Sequence, residues 1–218
     1  NPAELIEIAE ETGVIHQLTE WVISKGFQQH DKLRQLGFDV NVSLNISGKD
    51  FNDIGLIPHI LLTASRHDFP PETVMFEITE SATAEDPDHA RKVIGELYEL
   101  GYKIAIDDFG TGYSSLDYLS QLPFHELKID RCFMDIDTSE RNRTITEVTL
   151  QLASRLGVSS VAEGIENKDV SDLLKSYNCP IGQGYYYAKP MAFLDYMRWL
   201  QEIYKHSPSL SLEHHNFD

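Results

Sequence analysis

Residues 105–116 read AIDDFGTGYSSL, an apolar run that meets two adjacent acids and then a glycine-rich turn. This order, followed by a new apolar pattern from Leu116, is typical of a strand, a tight loop and a helix. Asp107 and Asp108 repel each other unless they lie in solvent or beside a strongly positive group. The rest of the sequence indicates which of these two surroundings is present.

The alternation of strand and helix extends along most of the chain. Strands are predicted at 40–46, 73–78, 103–106, 126–129, 159–162 and near 181–187. Helices are predicted from Pro2 to Gly13 and at 15–36, 56–66, 87–100, 116–122, 140–156, 168–177 and 193–204. Since parallel neighbours need crossover connections, this order predicts a parallel sheet of about six strand and helix units.

The composition of the chain argues against some classes of binding partner. The 218 residues fit one domain, and the net charge of −17 repels polynucleotide phosphates and anionic lipid. We therefore expect no polynucleotide partner and no direct membrane contact, and an anionic substrate would need metal ions as intermediaries. We also expect a cytoplasmic location, or the cytoplasmic face of the membrane if a longer parent protein is anchored there.

Three further expectations concern individual residues and the end of the chain. Cys132 and Cys179 lack the spacing of a metal site, so free thiols are expected. Trp21 and Trp199 lie in predicted helices, where we expect them to be buried. Residues 207–218 are polar and aperiodic, so they read as a tail after a domain at 1–206.

Polar side chains stand at the carboxyl end of each predicted strand. They are Asn45, Glu77, Asp107, Asp108, Lys128, Asp130, Glu163 and Gln183. One polar residue where a strand meets solvent is ordinary, but six successive strands with this ending are harder to dismiss. In a parallel barrel these ends converge on one face, where the active sites of such barrels lie.

The residue types at these ends favour a hard cation. Carboxylate and amide oxygens suit Mg²⁺ or Mn²⁺, and no cysteine or histidine stands there to favour zinc. Asp107 could ligate two ions and Asp108 one, so that the cations cancel their repulsion. Gly110 and Gly112 would let the loop bend beside a ligand. A solvated Asp-Asp turn is the alternative.

Lys128 and Glu163 leave two reaction classes open. A lysine among carboxylates can hold a water or stabilise an oxyanion, or it can form a plain salt bridge. With two metal ions and an acid such as Glu163, it fits in-line hydrolysis of a phosphodiester. A barrel lyase with a lysine base and Mg²⁺ would use similar groups.

Seven segments together resemble one known family. They are IAEETGVI at 8–15, LNIS at 44–47, FEITES at 76–81, DDFGTGYSSL at 107–116, LKID at 127–130, VAEGIE at 161–166 and GQGYYYAKP at 182–190. In this order they resemble the EAL-domain phosphodiesterases, which linearise the bacterial second messenger cyclic di-GMP. The resemblance implies a TIM-type (β/α)8 barrel and hydrolysis to 5′-pGpG by two-metal water activation.

The resemblance also implies roles for the residues at the strand ends. It implies that two Mg²⁺ or Mn²⁺ ions are ligated by Asn45, Glu77, Asp107 and Asp108, with Asp107 as the bridging ligand. Lys128 would contact the attacking water, Glu163 would assist at the metal site, and Asp108 would be catalytic as well as a ligand. By the same resemblance Glu80 would steady the glycine loop, and Asp130 and Gln183 would support the loop, the metal and the substrate.

One departure from the family is large. The Glu-Ala-Leu motif, whose glutamate is a metal ligand, is absent; in the family it lies upstream of the helix that contains AEETG. A closed barrel needs about eight strands, so the first two seem to be missing from this chain. Loss of the glutamate leaves an alternative, an inactive module that binds cyclic di-GMP or a protein. Domains of this family often dimerise and are often fused to sensor or cyclase modules.

Overall fold

The computed structural model describes residues 2–112 and 116–206, in which strands and helices alternate. The strands are β1 (Val42–Ile46), β2 (Val74–Thr79), β3 (Lys103–Phe109), β4 (Glu126–Ile129), β5 (Ser159–Ala162) and β6 (Ile181–Gly182). The helices are α1 (Pro2–Thr12), α2 (Ile15–Gln35), α3 (Leu56–Ala64), α4 (Glu80–Glu85), α5 (Pro87–Glu99), α6 (Leu116–Gln121), α7 (Glu140–Leu156), α8 (Lys168–Ser176) and α9 (Phe193–His206).

All six strands form one parallel sheet in chain order from β1 to β6. Asn45 pairs with Glu77, and Thr79 pairs with Asp107, so the polar ends of neighbouring strands lie side by side. Within the described residues, β1 and β6 each pair on one side only. The sheet is therefore open, as expected for six strands where a closed barrel has eight.

Alternation along the strands sorts the side chains onto two faces. One face packs its aliphatic and aromatic side chains into the main core, as Phe76, Ile78, Ile104 and Leu127 do. The opposite, inner face carries polar side chains, among them Glu77, Asp107 and Lys128. The covering helices therefore hold the sheet from the apolar side and leave the inner face for chemistry.

The helices begin and end where local chemistry favours it. Asp86, Ser139 and Asn167 accept a hydrogen bond from a backbone N–H in the first turn of α5, α7 and α8, respectively. Gly157 ends α7 with φ of 74°, a conformation that disfavours a side chain.

The structure corrects four predictions. β3 continues through Asp107 and Asp108 to Phe109, while β6 has only two residues. Trp21 is 59% exposed, because the buried positions of α2 include Thr19 and Ile23, and position 21 faces away from both. Trp199 is 37% exposed, since α9 packs inward through Leu200 and, with partial burial, through residues such as Tyr196 and Met197.

Other expectations concern the cysteines, membrane spans and the tail. Cys132 and Cys179 are free thiols, as predicted. Among the described residues, no helix is both long and apolar enough to cross a bilayer. Residues 207–218, predicted to form a tail, lie outside the described part of the chain.

Candidate active site at the carboxyl ends of the strands

The backbone turns sharply between the two adjacent acids. Asp107 is buried, and its Oδ1 accepts a hydrogen bond of 2.9 Å from the backbone N–H of Asp108. Asp108 has φ of 54°, in the left-handed region that non-glycine residues rarely adopt. The pairing of β3 with β4 also shifts register between Ile106 and Phe109. This irregularity re-aims the second carboxylate.

Lys128 joins acids from three strand ends. Its Nζ lies 2.7 Å from Glu77 Oε2, 3.1 Å from Asp107 Oδ2 and 2.6 Å from Glu163 Oε1. The lysine side chain is 4% exposed, so water screens these contacts little. A strongly positive group that balances Asp107 is therefore present in the fold itself.

Burial and charge act in opposite directions on the groups of this cluster. Burial disfavours the charged form of Lys128, but Glu77, Asp107 and Glu163 outweigh it and raise the pKa of the ammonium. Burial raises the pKa of Glu163, and the contact with Lys128 only partly offsets it. The lysine is thus held charged, and Glu163 binds a proton more readily than an ordinary glutamate.

Asp108 faces a second acid rather than the lysine. Burial, the charges of Asp107 and Asp130 and a hydrogen bond with Asp130 raise the pKa of Asp108 to about 6. Burial opposes ionisation of Asp130 as well, but bonds from Cys132 and Asp108 outweigh it and lower its pKa. Asp108 is therefore the member of this pair that takes up a proton first as the pH falls.

The glycine loop after β3 is attached to Glu80. The backbone N–H groups of Gly110 and Gly112 donate to Glu80 Oε2 at 2.9 Å and 3.2 Å. Glu80 is 3% exposed and begins α4, directly after β2. At Gly110, φ is 97° and a Cβ would lie 2.9 Å from the ring of Phe133, so only glycine fits.

The donor set is suited to a divalent cation. Asp107, Asp108 and Glu163 each offer one carboxylate oxygen, and these oxygens lie within 4.8 Å of one another. Oxygen donors with negative charge are those that Mg²⁺ and Mn²⁺ prefer. This acidic cluster could therefore hold a metal ion.

The remaining predicted site residues lie around this cluster. Asn45 is exposed on the edge strand β1, where it lines a groove of about 410 Å³ against α1 and α2. Gln183 is exposed directly after β6, and its backbone N–H donates to the carbonyl of Ala162. Glu77 contacts Lys128 and is not part of the oxygen cluster.

One acid of the inner face had not been predicted. Glu126 lies two residues before Lys128 on β4 and is 9% exposed. Burial and the charge of Glu77 raise its pKa. Residues two apart on a strand lie on the same face of the sheet, so Glu126 shares the inner face with Lys128. This spacing is the sequence signal from which Glu126 could have been identified.

Comparison with known proteins agrees with this geometry. The family model described as "EAL domain" matches residues 1–190. The chain belongs to the EAL domain family. The TIM-type barrel class predicted from the sequence is confirmed, with six strand and helix units and a barrel that is not closed across the described residues.

Two relatives and one solved structure show the extent of the likeness. "Signaling protein YkoW" of Bacillus subtilis is 40% identical over 195 residues, covering 87% of this chain and 24% of that protein. "Cyclic di-GMP phosphodiesterase PA2567" of Pseudomonas aeruginosa is 34% identical over 202 residues, covering 92% and 34%. The structure titled "PaMucR Phosphodiesterase, c-di-GMP complex" superposes with a TM-score of 0.85 at 35% identity, covering 88% and 78%. The chain thus spans only about a quarter to a third of these two relatives.

Proposed function

We propose that this EAL domain is a phosphodiesterase that hydrolyses cyclic di-GMP to linear 5′-pGpG with two Mg²⁺ or Mn²⁺ ions. The observation that supports this most is the contact of Lys128 with three carboxylates beside the oxygen cluster of Asp107, Asp108 and Glu163. A relative named a cyclic di-GMP phosphodiesterase and a related structure titled as a complex with c-di-GMP support the substrate.

In this proposal, the cations would be held by Asn45, Glu77, Asp107 and Asp108, and Asp107 would serve as a ligand to both. Bound Mg²⁺ or Mn²⁺ supplies Lewis-acid stabilisation of negative charge on the phosphodiester and makes a water more acidic. Because Lys128 is fixed by its acidic neighbours, it holds that water in place with little cost of reorganisation.

The reaction breaks one of the two phosphodiester bonds of the ring. The water oxygen bonds to phosphorus, and the bond from phosphorus to the 3′ oxygen breaks. One proton of the water passes to Glu163, whose raised pKa suits it as an acceptor. The 3′ oxygen takes up a proton from solvent and leaves as a hydroxyl, and the phosphate stays on the 5′ carbon. Glu80, Asp130 and Gln183 support the loop and the bound dinucleotide.

Binding without hydrolysis is the second candidate function. It is favoured by the position of Asn45, which is exposed on a strand edge that no other described strand pairs with and so is the least constrained of the proposed ligands. A module of this kind would bind cyclic di-GMP, or a protein, and release no product.

Product chromatography with an equilibrium binding measurement distinguishes the two functions. The purified chain is incubated with cyclic di-GMP and Mn²⁺, and Asp107→Asn serves as the control, since it removes charge but little volume. Linear dinucleotide from the wild type alone supports the hydrolase. Binding without product in both proteins supports the second function. Equal turnover in both would exclude the two-metal assignment.

Lys128→Ala then tests the role of the lysine. We expect this substitution to reduce turnover by roughly a hundredfold or more and to change the dissociation constant for the dinucleotide much less. Equal losses in both quantities would make Lys128 a binding residue.

A further inference from the structure

The segment that follows β1 is held by the two helices that precede this strand. Asn45, a proposed metal ligand, is followed by Ile46 at the end of β1, and a short 3₁₀ turn then runs over Gly48–Asn52. Among the described strands only β2 pairs with β1, so the sheet holds Asn45 from one side. On the other side its position depends on contacts with α1 and α2.

Two contacts join the turn to α1 through a single residue, Glu10. The hydroxyl of Ser47 donates to Glu10 Oε1 at 2.5 Å, and Lys49 Nζ donates to the backbone carbonyl of Glu10 at 2.7 Å. Ser47 also caps the turn, because its hydroxyl accepts from the backbone N–H of Lys49. Glu10 therefore holds the residue that directly follows β1.

Asp50 joins the same turn to α2. Its side chain is buried, with the residue 1% exposed, and its Oδ2 accepts from the hydroxyl of Thr19 at 2.6 Å and from the backbone N–H of Ser47 at 3.1 Å. Its Oδ1 lies 2.8 Å from Nδ1 of His16. A buried carboxylate is costly unless hydrogen-bond donors surround it, and α2 and the turn supply them here. Asp50 thus fixes where the turn lies against α2.

We propose that Glu10 and Asp50 are positioning residues, which hold the carboxyl end of β1 so that Asn45 is in place to bind a cation. This inference rests on the proposed function, because it takes Asn45 as a metal ligand. Glu10, Asn45 and Ser47 line one groove, so the contact of Glu10 with Ser47 lies beside that ligand. Groups that support a metal ligand typically change metal affinity or activity by about 10- to 100-fold.

The type of contact separates this role from general packing. Phe51 of the same turn is 3% exposed and packs in the main core, so the turn has an apolar attachment that needs neither acid. Hydrogen bonds to a carboxylate are short and directional, and they therefore restrict the position of Ser47 more narrowly than apolar packing does. Loss of Glu10 should loosen Asn45 while the domain stays folded.

Calorimetric titration with Mn²⁺, together with NMR relaxation of Asn45 in the metal-free chain, tests the proposal. We expect Glu10→Ala to weaken Mn²⁺ binding about tenfold and to increase the fast backbone motion of Asn45. Glu10→Gln keeps an oxygen that can accept from Ser47, so its Mn²⁺ affinity should stay within about threefold of that of the wild type.

Glu11→Ala is the matched control. Glu11 is the exposed neighbour of Glu10 on α1, and its replacement changes the net charge of the chain by the same amount. We expect this variant to bind Mn²⁺ as the wild type does and to leave the order of Asn45 unchanged. Any effect of Glu10→Ala beyond that of Glu11→Ala is then due to the contacts of Glu10 and not to its charge alone.

Two further variants test the path of the effect. Ser47→Ala removes the donor to Glu10, so the double variant Ser47→Ala with Glu10→Ala should bind Mn²⁺ little more weakly than either single variant, whereas fully additive losses would contradict a path through Ser47. Thr19→Val removes a donor to Asp50 with little change of shape, and it should also weaken Mn²⁺ binding and loosen Asn45.

The outcomes separate this proposal from the proposed function. If Glu10→Ala and Thr19→Val matched Glu11→Ala in Mn²⁺ affinity and in the order of Asn45, neither acid would be a positioning residue. A wild type that binds no Mn²⁺ would instead refute the proposed function. In that case the NMR order of Asn45 alone would decide whether Glu10 and Asp50 hold the end of β1.

Discussion

Replacement of Lys128 by methionine should lower the stability of the metal-free domain strongly. Methionine keeps much of the length of the side chain and removes its charge, which leaves Glu77, Asp107 and Glu163 close together without a cation. Removal of one partner from a buried ion pair costs about 3–5 kcal/mol, because the remaining charge is buried and uncompensated. This is a large part of the roughly 5–15 kcal/mol by which domains are stable.

Urea unfolding in a metal chelator, followed by circular dichroism, measures this loss. For a chain of this size the unfolding free energy falls by about 3 kcal/mol for each molar of urea. We therefore expect the midpoint of unfolding to fall by about 1–1.7 M. Mn²⁺ should then raise the midpoint of Lys128→Met more than that of the wild type, because a bound cation replaces the missing positive charge.

Lys168→Met on α8 is the matched control. Lys168 also pairs with an acid, Asp172, but the two side chains are 69% and 48% exposed. Because solvent screens such a pair, we expect a midpoint close to that of the wild type. If the midpoint of Lys128→Met also stayed within about 0.3 M of the wild type, the contacts of Lys128 would be worth no more than a surface pair, and the reasoning would fail.

Three more outcomes are expected. Glu80→Ala should lower the unfolding free energy by about 1.5–3 kcal/mol. It should also speed hydrogen exchange of the two glycine amides, those of Gly110 and Gly112, that donate hydrogen bonds to Glu80. Unchanged exchange rates, measured by NMR, would contradict these hydrogen bonds. His30 is 1% exposed, and burial lowers its pKa below 6.5, so it stays neutral in the fold while the unfolded chain binds a proton. Unfolding free energy should therefore fall below about pH 6.5, by up to about 1.4 kcal/mol per pH unit, and His30→Gln should remove this component of the pH dependence when the two proteins are compared by urea unfolding. Asp130→Asn should lower the pKa of Asp108 from about 6, measured by carbon-13 NMR of its carboxyl group without metal, and no change would show that Asp130 is not among the causes.

The sequence predicts the strands of the sheet better than it predicts the contacts of the site. Alternation of strand and helix was sufficient to predict six parallel strands, because each strand has a local apolar signal. The burial of Trp21 was predicted wrongly, since tryptophan is mostly apolar and only the phase of α2 shows that position 21 faces outward. Side-chain type alone is a weaker guide to burial than position relative to the other buried residues of the helix.

The partners of Lys128 could not be obtained from local pattern. Glu77 lies 51 residues before it, and the 2.7 Å contact exists only because β2 and β4 flank the same strand. The sequence left open a water-holding lysine and a plain salt bridge. In the structure Lys128 is paired with three acids at once, and this arrangement is compatible with both, since a lysine must be held by its neighbours before it can hold a water.

The adjacency of Asp107 and Asp108 is resolved by the backbone rather than by one counter-charge shared between them. The left-handed conformation of Asp108 re-aims its carboxyl, which hydrogen bonds with Asp130. Asp107 is thereby paired with a cation of the protein, whereas Asp108 contacts another acid and has a raised pKa. A bound metal ion would compete with a proton at Asp108, because a ligating carboxylate must be ionised. Metal affinity should therefore weaken as pH falls through about 6, the value to which the pKa of Asp108 is raised. Calorimetric titration with Mn²⁺ at several pH values tests this, and an affinity that is constant from above to below that value would show that Asp108 takes no part in binding.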